Sequence, residues 1–387
     1  MPVGTLIAAM ATVGVCDVAF GLTFQLQPLI LEAMGIPAWI IGINAAMGPL
    51  GILLIGPFLP RIIAGFGGKR VALVAILTII ASLSAMAVVP PLYWWFPLRF
   101  FLGMATGSLF TVSETWMLTL ANPNNRGRIM GIYTSMLSVT FAIGPMALPF
   151  TGTAGYLPWV ICIVFVVAGL VPLLLVNVRE AHEDGGRGNM FAVLQKAPLL
   201  FLGIGTATLF DSVFISFFTI FATRRGVPLE TASFMLGAGI VAGVVFFYPL
   251  GLWADRWSKH GVIVLCTVAS IISSLALIPL ISTIWIWPLV LLVTTAAFGV
   301  YVVALALIGD VFKGNDVVAA SAAVAAMWGV GGIIGPPTAG WMIDNFGINA
   351  LPATLAVFYT VLLVALLLNR GRVVSHANTL PLQNARH

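Results

Sequence analysis

The sequence predicts an all-α membrane protein with twelve transmembrane helices in two pseudo-symmetric six-helix bundles. Three observations predict it. Of 387 residues, 60% are hydrophobic and only 7% are charged, with a mean hydropathy of +1.10. A soluble domain carries roughly 25% charged residues, so this chain has too few to cover a water-facing surface. Apolar runs of bilayer-crossing length, about 20 residues, recur along the whole chain. One long polar break, NVREAHEDGGRGNMFAVLQKAP from Asn177 to Pro198, divides those runs into two sets of six.

The runs fall near 4–31, 38–60, 70–91, 93–121, 127–150 and 155–177, then 198–222, 230–253, 261–282, 284–309, 317–343 and 347–369. Each is read as a helix. Backbone groups in lipid are satisfied within a helical segment, whereas a barrel would show alternating runs of about ten residues. The organisation expected is an N-terminal bundle over 1–178, a cytoplasmic linker over 179–197, a C-terminal bundle over 198–370 and a cytoplasmic polar tail over 371–387. A shift of 191 residues carries Gly14 onto Gly205, Gly35 onto Gly226, Pro37 onto Pro228, Gly48 onto Gly239 and Gly144-Pro145 onto Gly335-Pro336. The halves therefore read as a repeat.

Lysine and arginine counts in the loops set orientation. With a cytoplasmic N-terminus, that side holds all but three of the 17 basic residues, among them Arg61, Lys69, Arg70, Arg126, Arg128, Arg179, Arg187, Lys196, Lys259 and Lys313. The other side holds Arg224 and Arg225, and Arg99 lies inside a helix. Both termini are expected in the cytoplasm, and the net charge of +5 reads as membrane topology rather than a nucleic-acid surface. Cys16, Cys162 and Cys266 are scattered in apolar runs and the four histidines lie in connections or the tail, so no metal site is expected. The first apolar run is read as a spanning helix rather than a cleaved leader. No nucleophile–base pair or phosphate loop is visible, so the chain is not read as an enzyme, and a gradient rather than a cofactor is expected to supply energy.

Twelve helices, two similar halves and a central loop resemble the major facilitator superfamily over nearly the whole chain. That superfamily carries G-x-x-x-D-R-x-G-R-R between helices two and three, often repeated between eight and nine. The second copy here reads Gly251-Leu-Trp-Ala-Asp255-Arg256-Trp-Ser-Lys259; in the first, Ala64 stands at the Asp position. The resemblance implies a cytoplasmic gate at Asp255 and Arg256. Arg99-x-x-x-Gly103-x-x-x-Gly107 resembles a fourth-helix motif whose Arg is linked to proton coupling. Gly131 and Gly144-Pro145 fit the antiporter signature of helix five, whereas Thr140, Leu148 and Pro149 depart from it. Gly144, Pro145, Gly335 and Pro336 are expected to be hinges, because Gly and Pro loosen the helix ladder where the two halves rock. "SETW" and "NRGR" at 113–116 and 125–128 resemble a bacterial inner-membrane branch of the superfamily.

In that superfamily helices one, four, seven and ten line the central cavity. Asp17, Glu114 and Asp211 lie on helices one, four and seven. At 1.5 Å per residue, Asp17 and Asp211 fall near the bilayer midplane and Glu114 roughly 8 Å toward the cytoplasm from the centre of its helix. Asp211 is three residues out of register with Asp17 under the 191 shift, about one turn, on a similar face. An ionised carboxylate at that depth costs at least ~2.5–3.5 kcal/mol, so each is expected to face a wet cavity, meet a cation or take a proton. Phe24, Gln25, Trp116, Phe214, Phe218, Phe298 and Tyr301 are the expected cavity lining, since aromatic faces with carboxylates suit organic cations.

The function expected is proton-coupled alternating access by a monomer in the bacterial inner membrane, exporting a cationic or amphipathic small molecule in exchange for protons. Asp17, Asp211, Glu114 and Arg99 are the coupling and substrate residues. The alternatives are a proton symporter importing a sugar or organic acid, with Gln25 and Arg99 contacting substrate, and a membrane receptor that moves nothing.

Overall fold

The computed structural model describes residues 3–120, 125–176, 190–312 and 315–369. Most of the linker, with Arg179 and Arg187, lies outside the described residues, as do Lys313 and the expected tail. The first half comprises α1 (Val3–Ala33), α2 (Ala38–Ile55), α3 (Leu59–Phe66), α4 (Gly68–Val88), α5 (Trp95–Leu120), α6 (Arg126–Thr151), α7 (Leu157–Ala168) and α8 (Leu170–Leu175). A short helix, α9 (Met190–Lys196), precedes the second half: α10 (Pro198–Arg224), α11 (Leu229–Arg256), α12 (Lys259–Leu280), α13 (Ile286–Val311), α14 (Asn315–Phe346) and α15 (Ala350–Leu368).

These helices make twelve crossings. A 3-10 turn at Gly56–Phe58 joins α2 to α3 in the second crossing, and Gly169 separates α7 from α8 in the sixth. Pro57 explains the first break, because proline withdraws an N–H from the ladder. Eleven crossings are long and apolar enough to span by composition alone. The twelfth is α5, whose 26 residues include Arg99, Thr106, Ser108, Ser113 and Glu114. Exposed Tyr93, Trp94, Tyr156 and Trp285 ring one end of the molecule, and exposed Trp253 and Trp257 stack at the other. Such rings anchor a protein at the two membrane–water interfaces. The end at which α1 begins and α15 finishes is here the terminal face; the opposite end is the far face.

The two halves repeat the same helix contacts. α1 packs on α6 as α10 packs on α14, α2 on α5 as α11 on α13, and α4 on α5 as α12 on α13. The repeat extends to single residues. A Cβ on Gly103 would collide with the Gly48 backbone, and 191 residues later Thr294 packs against Gly239. Small residues permit this backbone approach, which is how helices associate where lipid is as apolar as their side chains. The halves meet along α2 with α14, α6 with α11, and α1 with α10, the first of these being the most extensive contact in the fold.

Polar ties across the halves lie on the far-face side. Glu32 pairs with Arg224. The Asp344 carboxylate accepts from the N–H groups of Ala38, at 2.9 Å, and Trp39, at 2.8 Å. Those are the first residues of α2, whose N-cap position, Pro37, makes no side-chain cap bond. Gln25 Nε2 donates to Thr219 Oγ1 at 2.7 Å and to Ser233 Oγ at 2.9 Å. At the terminal face the described ties stay within one half. Lys69 donates to the carbonyls of Leu174 and Val176, Lys196 pairs with Asp316 at 3.3 Å, and Lys259 pairs with Asp310 at 2.7 Å. The far face is therefore the closed one.

Candidate transport site

Asp17 is 2% exposed. It sits on α1 about 24 Å from the far-face end of that helix. Its Oδ2 accepts from the Thr140 hydroxyl of α6 at 2.9 Å. Glycines place these groups side by side. A Cβ on Gly21 would collide with the Phe141 carbonyl, and one on Gly144 would collide with the Leu22 N–H. The expected hinge Gly144-Pro145 thus marks the tightest approach of α6 to α1, inside a continuous helix. The Thr140 hydroxyl also lies 2.9 Å from the Met136 carbonyl and 3.0 Å from that of Leu137. It has one proton, so it serves either Asp17 or its own helix at a given moment.

The second half is built differently at the matching place. The 191 shift takes Asp17 to Thr208 and Thr140 to Gly331. There the Thr208 hydroxyl lies 2.9 Å from the Met327 carbonyl, and a Cβ on Gly331 would strike it. Asp211, one turn further on, is half-buried and within electrostatic reach of Tyr301 on α13 and Tyr359 on α15. The similar-face expectation therefore needs correction. Three residues leave a rotation of about 60° on a helix of 3.6 residues per turn, enough to turn Asp17 onto α6 and Asp211 toward α13 and α15. None of the ion pairs among the described residues involves Asp17, Asp211 or Glu114.

Glu114 is exposed, and within electrostatic reach of Tyr133 in its own half and Tyr301 in the other. Tyr133 is buried with its hydroxyl on Ser113. Tyr301 belongs to a half-buried aromatic group. Its ring lies 5.7 Å from that of Trp328 and 6.3 Å from that of Phe298, and Trp328 Nε1 donates to its hydroxyl at 3.2 Å. Tyr301 thus lies within electrostatic reach of Glu114 from the first half and of Asp211 from the second. Trp328 was missed from sequence, and its position on α14 beside Gly329 gave no sign of it.

The other expected lining residues lie elsewhere. Phe214 and Phe218 are buried in a stack with Phe210, which meets Tyr359 edge-on. Their spacing of four residues puts them on the α10 face that packs within the second half. Trp116 is also buried. Gln25 joins the halves as described, and Phe24 packs against Phe141 and under the Arg99 guanidinium, 5.6 Å from the ring centroid. Arg99 is 3% exposed and donates to Asn44 Oδ1 at 3.1 Å. Asp255 pairs with Lys259 at 3.4 Å, and Lys259 with Asp310, which ties α11, α12 and α13 together inside the second half. No described contact carries Asp255 or Arg256 to the first half. Gly335 packs against Leu209 and Val213 of α10, and the Pro336 carbonyl lies where a Cβ on Gly42 would be.

The family profile described as Major Facilitator Superfamily matches residues 7–306 and, again, 200–382. The chain belongs to that superfamily. Among relatives, it is 23% identical to the MFS-type transporter YfkF of Bacillus subtilis over 376 residues, covering 93% of this chain and 94% of that one. It is equally 23% identical to the MFS-type transporter YcaD of Salmonella typhimurium over 354 residues, covering 90% and 91%. Among solved structures, the nucleoside transporter NupG superposes with a TM-score of 0.77 at 13% identity, covering 95% of this chain and 98% of that one. A bacterial homolog of the human lysosomal transporter Spinster, inward-facing and occupied, superposes with a TM-score of 0.73 at 12% identity, covering 93% and 94%. The twelve-crossing fold is thus that of a major facilitator transporter, an integral membrane protein that carries a small molecule and is not an enzyme.

Proposed function

We propose that this transporter exports a cationic or amphipathic small molecule across the bacterial inner membrane in exchange for protons. The observation that carries the proposal is the Tyr301 group, partly exposed aromatic rings with Glu114 and Asp211 both within electrostatic reach of Tyr301. A ring face attracts a cation by about 0.5–2 kcal/mol, more when water is excluded. Two carboxylates that make no ion pair among the described residues supply the charge, and they come from opposite halves, so a bound cation feels the halves move. Asp17 is the proton site, and release of Thr140 from Asp17 marks the protonated state.

The Lys/Arg bias supports a cytoplasmic terminal face: Arg61, Lys69, Arg70, Arg128, Lys196, Arg256 and Lys259 lie there, against Arg224 and Arg225 at the far face. Both termini are then cytoplasmic, and a closed far face is the state that receives substrate from the cytoplasm. Opening it requires parting of Glu32–Arg224, Asp344–α2 and the Gln25 bonds, a rocking motion that one monomer completes by itself. Gln25, the substrate contact of the import reading, is occupied in this closure.

The test uses purified protein in liposomes with an imposed pH gradient and a panel of organic cations. Asp211→Asn and Glu114→Gln are expected to reduce cation flux at least tenfold, and Asp17→Asn to leave cation binding intact while abolishing the response to the pH gradient. Wild-type coupled rates in all three variants would refute the proposal. Flux running with the proton gradient instead of against it would establish import.

A further inference from the structure

The Arg99 guanidinium is a buried charge that the scheme above does not use. It has five N–H donors, and its one hydrogen bond to a described residue goes to a neutral oxygen, Asn44 Oδ1. The Phe24 ring lies to one side of it. Asn44 is 0% exposed, and its Nδ2 makes no hydrogen bond to the described residues. A small cavity adjoins Arg99 where α1, α2 and α5 converge, lined also by Phe20, Thr23, Phe24, Gln27 and Thr106. It has room for a water-sized group. No carboxylate lines it. The threonine hydroxyls do not compensate the charge, because Thr23 lies 2.5 Å from the Ala19 carbonyl and Thr106 lies 2.7 Å from that of Leu102.

A guanidinium stays protonated in proteins, and a buried charge is held by a countercharge or costs several kcal/mol. The remaining donors and the size of the cavity select the countercharge. It is monovalent, because one cation faces it. It is small, because Phe20, Phe24, Leu102 and Ile52 wall the space. It is an acceptor, because the Arg99 guanidinium has N–H groups to spare and Asn44 Nδ2 beside it makes no hydrogen bond to the described residues; Gln27 Oε1, also without a described partner on the cavity wall, is neutral and leaves the guanidinium charge unbalanced. We infer that Arg99, with Asn44 beside it, forms a halide-sized anion site within the first half, separate from the cation group at Tyr301. The anion neutralises Arg99 at membrane depth and fills the wedge between α1, α2 and α5.

The unfolding midpoint of the purified protein is to be measured in chloride, bromide, acetate and gluconate at matched ionic strength. Chloride and bromide are expected to raise it by about 2 °C over gluconate at ~0.15 M, in a saturable manner. Arg99→Met is expected to lose the difference. Leu102→Phe, which leaves Arg99 in place and fills the cavity, is expected to lose it too. Binding of radiolabelled chloride to wild-type protein gives a reading that does not depend on either variant folding, and saturation near one per chain is expected. The inference is overturned by equal midpoints in all four salts, by absence of saturable chloride binding, or by halide dependence that persists in a folded Arg99→Met protein. A shift by acetate with none by chloride also overturns it, and would assign Arg99 to the carboxylate end of a transported molecule.

Discussion

Replacing Asp344 with alanine is expected to release the far face. The Asp344 carboxylate, on α14, bonds the first two N–H groups of α2 at 2.9 and 2.8 Å, and these helices belong to opposite halves. An N-terminal cap is worth about 0.5–2 kcal/mol, and a carboxylate at the positive end of the helix dipole adds about 0.3–1 kcal/mol. Asp344 is exposed, so the lower parts of both ranges apply, and water satisfies the freed amides in the open state. The net preference for closure is then about 1 kcal/mol, close to a fivefold change in the closed-to-open ratio. Asp344→Asn keeps one acceptor oxygen and loses the charge, so a change of about threefold is expected. Arg224→Ala breaks the neighbouring pair with Glu32, but the Arg224 side chain is 42% exposed. A pair so open to water contributes about 0–1 kcal/mol, and its loss is expected to matter less than that of Asp344. Spin labels at Tyr93→Cys and Ile284→Cys report the far-face separation. Both positions are exposed and related by the 191 shift, and the three native cysteines are buried, so the labels are selective. An unchanged distance distribution in Asp344→Ala, or a larger change in Arg224→Ala, would refute the cap as the main latch.

Two further outcomes follow from the same contacts. Gly340→Ala places a Cβ against the Ala38 carbonyl of the other half; the same spin labels should show the far face opening further than in Asp344→Ala, because a backbone oxygen cannot yield without moving α2. Thr140→Val keeps the shape of the side chain and removes the hydroxyl from Asp17. Proton-driven transport is expected to fall several-fold, with unfolding stability lower by about 1 kcal/mol, and Thr140→Ser should restore both.

Much of the fold was legible because lipid imposes a local rule. A segment that crosses a bilayer is apolar over about 20 residues whatever its neighbours are, so twelve crossings could be counted without knowing one contact. The repeat was legible too, through glycines such as Gly48 and Gly144 that recur where backbones touch. The breaks at Gly56 and Gly169 were not, since each remains apolar. At the site, the carboxylates of Asp17, Glu114 and Asp211 stood out against their hydrophobic surroundings, while their partners did not. Thr140 looked like a departure from a family pattern, yet it holds Asp17. Phe214 and Phe218 looked like cavity residues because aromatic spacing is the same on a packed face and a lining face. A slip of three residues between Asp17 and Asp211 reads as one turn along a helix, but the leftover rotation of about 60° sends the two acids to different neighbours.

Sequence by itself determined that this chain crosses the membrane twelve times and carries three acids within its apolar runs, because hydropathy and an isolated charge are properties of single segments; its motifs added the resemblance to a transporter family. Tertiary structure alone decided that Tyr301 groups with Trp328 and Phe298 within electrostatic reach of Glu114 and Asp211, that Arg99 faces Asn44 rather than an acid, and that the far face is the closed one. Those are pairings across helices far apart in the chain, set by which glycines let backbones touch and by how each helix is rotated.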